Sequence, residues 1–439
     1  MRILYLTHQY FPRHVGGTEV YTHGLARRAV AAGFTVQVVT YHESPSGHRA
    51  DFGVAHEEYE GIPVCEIHYN LSVAPNPARA EYDNAFTAEM LSRELSSFRP
   101  DLVHVMHAMK LSGSALRVCH SLGIPIVVTL CDFWFICPRH TLLKWDGSLC
   151  EGPEHRLTCV KCLHHTHGVA SHELVALPDA DMLREIRRRR IGREKEPTAF
   201  WRDIHAIRRR HRYLIRVLLK ARRIIALSAF QKQMFVKNGV PEERIEVIRH
   251  GLELDGVRPV SRTPGAVPKI VYIGSLVTHK GPHVVLEALG RIPNARLEFR
   301  LYGALHSTAY EKGLKKLAGS DSRIRFMGTF KPSEFGRVMA EADVLVVPAL
   351  WYENEPLVVK AALHVGTPVL ASRIGSLSEM VEPGKNGWLL EPGHVGAWAE
   401  ALEKIAMDPL ALPAAPTRVK SMDENAREMF EIYAQEIGR

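Results

Sequence analysis

No stretch of the 439 residues is apolar for as long as a membrane span requires. A crossing helix needs about 18 apolar residues or more. Ile124–Pro138 comes nearest, but it is too short and carries Asp132. Cysteine is scarce at seven residues, which excludes a disulfide scaffold in so long a chain. Low-complexity tracts and short-period repeats are absent, so neither a disordered tail nor a solenoid is expected. No G-x-G-x-x-G follows the first apolar run, which argues against a dehydrogenase. No basic leader with a small-residue cleavage site opens the chain, since Met1-Arg-Ile-Leu-Tyr-Leu reads directly as a strand. A cytoplasmic protein is expected, peripheral at most to the inner face of a membrane.

What remains is an ordinary globular composition, 46% apolar and 24% charged, in a chain long enough for two or three cores. Apolar β-branched runs alternate with helical patterns. The runs are Ile3–Thr7, Thr35–Thr40, Ile62–His68, Asp101–Met106, Pro125–Leu130, Arg223–Leu227 and Arg244–Ile248. After a Pro-, Gly- and charge-rich stretch, Leu254–Pro268, a second series follows: Lys269–Gly274, Arg296–Tyr302, Arg323–Gly328, Asp343–Val347 and Pro368–Ala371. Such alternation predicts parallel sheets covered on both faces. The expected class is α/β with two Rossmann-like domains, residues 1–258 and 259–421, and a last helix within 422–439 returning to the first.

The stretch 343–372 reads strand, loop, short helix, turn, strand, with Pro356 expected as the first helical residue and Gly366 just past the last. The loop Trp351–Glu355 therefore sits at a strand's carboxyl end and a helix's amino end, where α/β sheets bind ligands and anions are favoured. Glu353 is placed to accept sugar hydroxyls, with the N–H groups of Leu357 and Val358 toward a phosphate.

The residues WYEN at 351–354, EPL at 355–357, GTPVLAS at 366–372, Gly375, Glu379 and NGWLL at Asn386–Leu390 together resemble the donor site of retaining glycosyltransferases of family 4. The resemblance implies the GT-B fold, two Rossmann-like domains facing a central cleft, with an acceptor domain first and a nucleotide-sugar domain second. It implies Glu353, Lys280 and His107 as catalytic residues. Gly16, Gly17, Gly274, Ser275, Asn354, Leu357 and Val358 are implied as donor-binding. Three departures stand out: Ala361 replaces the usual second glutamate eight positions after Glu353, Ser275 replaces a common arginine, and Cys131 replaces a histidine. The implied activity is retaining transfer of a sugar from a nucleotide sugar to a glycan or lipid-linked acceptor in polysaccharide or envelope glycan synthesis, with no cofactor required for catalysis. The alternative is a catalytically weakened binding or scaffold partner of another transferase.

An insert at about 138–222 interrupts the first domain. Cys137, Cys150, Cys159 and Cys162 end in C-x-x-C, a pattern able to surround a structural zinc ion. His164, His165 and His167 follow closely. Residues 181–223 then hold 16 Lys and Arg against 5 Asp and Glu, so more than the whole net charge of +8 lies there. Within 184–223, Ile204, Ile207, Leu214, Leu218 and Ala221 recur at helical spacing, while Arg208, Arg209, Arg210, Arg212, Arg216 and Lys220 take the other positions. A basic amphipathic helix of this kind suits an anionic membrane surface. Nucleic acid is not expected, because no aromatic residues interleave the charge.

Overall fold

A computed structural model describes the chain except residues 46–47, 49–50, 154–155, 168–175, 192–195, 255–256, 259–266, 305–307, 332–333, 409–415 and 439; the side chains of 156, 164–167, 186–187, 189–191 and 196–201 also lie outside the description. That excludes most of the expected linker and the histidines after Cys162. The chain divides into two units. The first comprises Met1–Leu227, Gln231–Ile248 and Ala426–Arg439; the second comprises Ser228–Phe230 and Arg249–Asn425.

The first unit is built on eight strands: β1 Arg2–Leu6, β2 Thr35–Glu43, β3 Gly53–Tyr59, β4 Ile62–Tyr69, β5 Leu102–Val105, β6 Ile126–Leu130, β7 Arg223–Ala226 and β8 Ile245–Val247. Their order is β3-β4-β2-β1-β5-β6-β7-β8, parallel except for the edge pair β3–β4. The central strands are buried on both faces, which is why they read as continuous apolar runs. Strand β3, with sequence GVAHEEY, was not expected. It is an exposed edge, and its polar residues conceal it from an apolar criterion. Because β1, β5 and β6 are neighbours, the residues just after them, His8, His107 and Asp132, emerge at one end of the sheet.

The last helix, Met422–Ile437, contributes its final turns to this unit. Tyr433 meets His104 Nδ1 at 2.6 Å while His104 Nε2 bonds Thr129 at 2.8 Å, and Glu436 pairs with Arg223 at 2.9 Å. His104 is thus a satisfied core histidine, held neutral by burial that lowers its pKa to about 3.

The basic segment forms the helix Glu196–Leu218. Its apolar stripe, with Ile207, Leu214, Val217 and Leu218 buried, is covered by the first unit itself. Arg210 is buried as well, bonded to Glu81 at 2.9 Å and to the carbonyl of Trp134 at 2.7 Å. The expectation of an apolar face free to enter a membrane is therefore corrected. Among the described residues of this helix, those exposed are His205, Arg208, Arg209, Arg212 and Arg216.

The second unit has six parallel strands, β9 Lys269–Ile273, β10 Glu298–Tyr302, β11 Ile324–Gly328, β12 Val344–Val347, β13 Val369–Ser372 and β14 Gly387–Leu390, ordered β11-β10-β9-β12-β13-β14. Successive residues point to opposite faces, as the strand period of two requires. Val344 and Val346 enter one apolar cluster with Phe299 and Trp398, while Leu345 enters the other with Val359 and Val365. Strands β9, β12 and β13 are adjacent, so the loops after them (274–281, 348–356 and 373–376) meet at one end of this sheet.

Candidate functional site

In the second unit, the chain leaves β9 through Gly274 and Ser275, makes a turn at Thr278–Lys280, and enters the helix Pro282–Arg291 through Gly281. Gly281 has φ +72°, and a Cβ there would lie 1.9 Å from the carbonyl oxygen of Pro348. Only glycine permits that approach, which seats the Lys280 turn on the end of β12. His279 O accepts from Leu350 N at 2.8 Å and joins the two loops directly.

Lys280 and Glu353 consequently meet. Lys280 Nζ donates to Glu353 Oε1 at 2.6 Å, and the indole Nε1 of Trp351 donates to the same oxygen at 2.8 Å. The ammonium also lies 4.9 Å from the Trp351 ring centroid, within cation–π range. The backbone of Glu353 is fixed from β13's side: Ser376 donates to its carbonyl from N at 3.1 Å and from Oγ at 2.8 Å. Gly375 (φ +56°) lies so close that a Cβ would sit 2.9 Å from that carbonyl oxygen.

The helix after the loop spans Leu357–Val365, with Gly366 at φ +88° as its cap. Pro356 precedes the helix by one residue, a shift of one from the expected boundary. Leu357 and Val358 are in the first turn, where N–H groups have no intrahelical acceptor. Asn354 is buried beside them, and Ser275, whose carbonyl accepts from Tyr272 Oη at 2.7 Å, is exposed. Glu353, Lys280, Asn354, Leu357, Val358, Gly274 and Ser275 thus belong to one end of one sheet.

Sequence reading missed the device that holds this helix start. Glu355 and Lys360 form a buried ion pair at 3.0 Å, with side chains 1% and 5% exposed. Glu355 Oε2 accepts from His250 N at 2.7 Å, and Lys360 also donates to His250 O. Burial pushes the Glu355 carboxyl up and the Lys360 ammonium down, each opposed by the other's charge. A lysine inside the apolar run LVVKAALHV is the signal that pointed to it. Ala361, next in the chain, is fully buried in the apolar cluster. Glu355 does not stand in for the absent second glutamate, because Lys360 and His250 N engage its carboxylate.

The first unit holds a second polar group at its sheet end. His107 Nε2 lies 2.6 Å from Asp132 Oδ2, and its Nδ1 accepts from Met109 N at 3.1 Å. That acceptor role puts the proton on Nε2, facing the carboxylate. Both ring nitrogens therefore have protein partners. Asp132 also accepts from Trp134 N at 2.7 Å. Burial alone would raise its pKa; His107, His140 and the Trp134 N–H together bring it down to about 2. The ring of His8 lies 4.1 Å from that of His107, and burial keeps His8 neutral.

Gly16 and Gly17 open the helix Gly17–Ala31 as expected, but the carboxylate of Glu19 folds back onto that end. It approaches to 2.5 Å of where a Gly16 Cβ would be, and the Gly16 and Glu19 N–H groups bond to it. The helix start is thereby capped from within.

Comparison with known proteins gives these sites a context. The sequence model described as Glycosyltransferase Family 4 matches residues 15–255, more than half of the chain. The one described as Glycosyl transferases group 1 matches residues 257–429. The D-inositol 3-phosphate glycosyltransferases of Mycobacterium tuberculosis H37Rv and of Mycobacterium bovis AF2122/97 are each 28% identical over 185 residues, 40% of this chain; the chain matches only 38% of their length. Among solved structures, Anabaena HepE in complex with UDP and glucose is similar over 100% of this chain and 95% of its own, with TM-score 0.61 and 18% identity. Sucrose-phosphate synthase of Thermosynechococcus elongatus gives TM-score 0.62 and 19% identity over 100% of this chain and 97% of its own. A glycosyltransferase of Rickettsia africae gives 0.64 and 16% over 99% and 98%. The fold is that of GT-B glycosyltransferases, and the chain belongs to glycosyltransferase family 4.

Proposed function

We propose that the chain transfers a sugar from a nucleoside diphosphate sugar, with retention at the anomeric carbon, to a glycan or lipid-linked acceptor. The observation that carries this reading is the pairing of Lys280 with Glu353 beside the start of the helix Leu357–Val365. Cleavage of the anomeric C–O bond leaves negative charge on the departing diphosphate and positive charge on the sugar. Lys280 and the first-turn N–H groups of Leu357 and Val358 would stabilise the former, in place before the charge develops. On donor arrival Lys280 would exchange its bond to Glu353 for one to the diphosphate, freeing Glu353 to accept from the sugar hydroxyls. The solved neighbour HepE is described with UDP and with UDP-glucose, which supports a nucleotide donor here. Retention rests on the family resemblance. Glu355 is tied to Lys360 and so is not poised as an inverting base, while Glu353 is assigned to the sugar hydroxyls. The outward arginines of the basic helix, among them Arg208, Arg209, Arg212 and Arg216, suit an anionic surface presenting a lipid-linked acceptor.

The test is incubation of the purified protein with a panel of nucleotide sugars, measuring nucleotide release and, by NMR, the anomeric configuration of any product. Donor-dependent release with retained configuration supports the proposal; inversion refutes retention. The absence of turnover with every donor favours the second reading, a binding or scaffold partner. That reading has its own support in Ala361, which lacks the carboxylate of the usual second glutamate, Ser275, which lacks the charge of the common arginine, and Cys131 in place of a histidine.

A further inference from the structure

We propose that Cys137, Cys150, Cys159 and Cys162 bind one zinc ion, which fastens the loop carrying Asp132. From Cys131 to Pro153 the chain forms no strand or helix; its one recorded bridge joins Leu143 and Leu149. The four cysteines form no disulfide, and they line one cavity of about 20 Å³ closed by Ile136, Leu142 and Leu143. That volume admits about one water-sized or ion-sized occupant.

The geometry that gathers them is specific. Cys159 and Cys162 lie three apart on the helix Arg156–His167 and so share a face. Cys137 closes a turn through N–H to Phe133 O at 2.8 Å, and Cys150 N bonds Leu142 O at 2.8 Å. The resulting C-x12-C-x8-C-x2-C arrangement supplies four sulfurs from three segments. Four thiolates select zinc or an iron–sulfur centre over hard cations. Burial raises the thiols of Cys137, Cys159 and Cys162, Cys162 to about 11 and Cys159 to about 12, so zinc would displace their protons to solvent.

The tightest donor set among the described residues is elsewhere: His56, Cys65 and Glu94 lie within 4.8 Å of one another. Hydrogen bonds already account for that group, since Glu94 takes His56 at 3.1 Å and Gln37 at 2.5 Å. The four thiols are spread more widely, and Cys150 Sγ donates to Gly152 O at 3.0 Å. Zinc capture would turn Cys150 from that carbonyl into the cavity. The fastened loop holds Asp132, the partner of His107, and the Trp134 carbonyl bonded by Arg210.

The experiment is metal analysis of the full chain purified without chelator. About one zinc per chain is expected, falling at least tenfold in Cys159→Ser/Cys162→Ser and unchanged in Cys65→Ser. Zinc-free protein with four titratable thiols, disulfides among the four by mass spectrometry, or iron and sulfide in place of zinc would each overturn the assignment. So would zinc that survives the double substitution but is lost with Cys65→Ser. Should the double variant not fold, cobalt substitution of the parent decides: thiolate charge-transfer bands with tetrahedral d–d absorption support the site, and their absence refutes it.

Discussion

Lys360→Met removes one charge from a pair that water barely reaches. The Glu355 carboxylate, 1% exposed, would then keep the N–H of His250 and, at 3.9 Å, its imidazole. Breaking a buried pair from one side costs about 3–5 kcal/mol, because the remaining charge is left uncompensated. A whole domain is stable by only about 5–15 kcal/mol. Adding Glu355→Gln removes the stranded charge while keeping an acceptor for His250, so Glu355→Gln/Lys360→Met should recover roughly half of the loss or more. Two units in one chain make a single global transition unsafe to interpret. Native-state hydrogen exchange of the helix Leu357–Val365 against urea reads the local opening free energy instead. An opening free energy within about 0.5 kcal/mol of the parent, or a double variant as weak as the single, would refute the reasoning.

Three further outcomes are expected. Glu353→Gln keeps an acceptor for Trp351 and Lys280 but loses the anion, so turnover with the best donor should fall roughly tenfold or more while urea stability changes little. Steady-state nucleotide release checks this, and an unchanged rate contradicts it. His104 has a folded pKa of about 3 against the ordinary 6.5, so the unfolded chain takes a proton that the fold refuses as pH drops below 6.5. Its contribution is fully present above pH 6.5 and declines toward pH 3, by up to about 1.4 kcal/mol per pH unit. His104→Gln should flatten the fall of the first unit's urea midpoint between pH 6.5 and 4, above the acid range where Asp132 also titrates; an unaltered slope would contradict it. Arg210→Met should leave Glu81 with the Trp134 indole N–H and strand the buried Trp134 carbonyl, lowering the first unit's stability by about 1–3 kcal/mol, read from the same midpoints.

The apolar strands were legible because a strand buried on both faces has to be a continuous β-branched run, as Val344–Val347 shows. Strand β3 was not, because an edge strand needs few apolar residues. Glu353 and Lys280 were found separately in the sequence. Their contact is 73 residues long-range and depends on Gly281 fitting under Pro348, which no local pattern reveals. The Glu355–Lys360–His250 group escaped for a related reason: one of its partners is a backbone peptide 105 positions away. The amphipathic pattern of the basic helix was read correctly as a pattern, but periodicity does not say what covers the apolar side. The first unit covers it, and Arg210 on the charged side turns inward to Glu81.

The central claim is that a nucleotide's diphosphate rests against Lys280 at the mouth of the helix Leu357–Val365. Calorimetric titration of a panel of nucleoside diphosphates into the parent protein and into Lys280→Ala tests it directly. At least one diphosphate should bind the parent and bind the variant about 10- to 100-fold more weakly, the loss of one charge-assisted hydrogen bond. Binding of equal strength to both proteins, or no binding to the parent by any member of the panel, would contradict it.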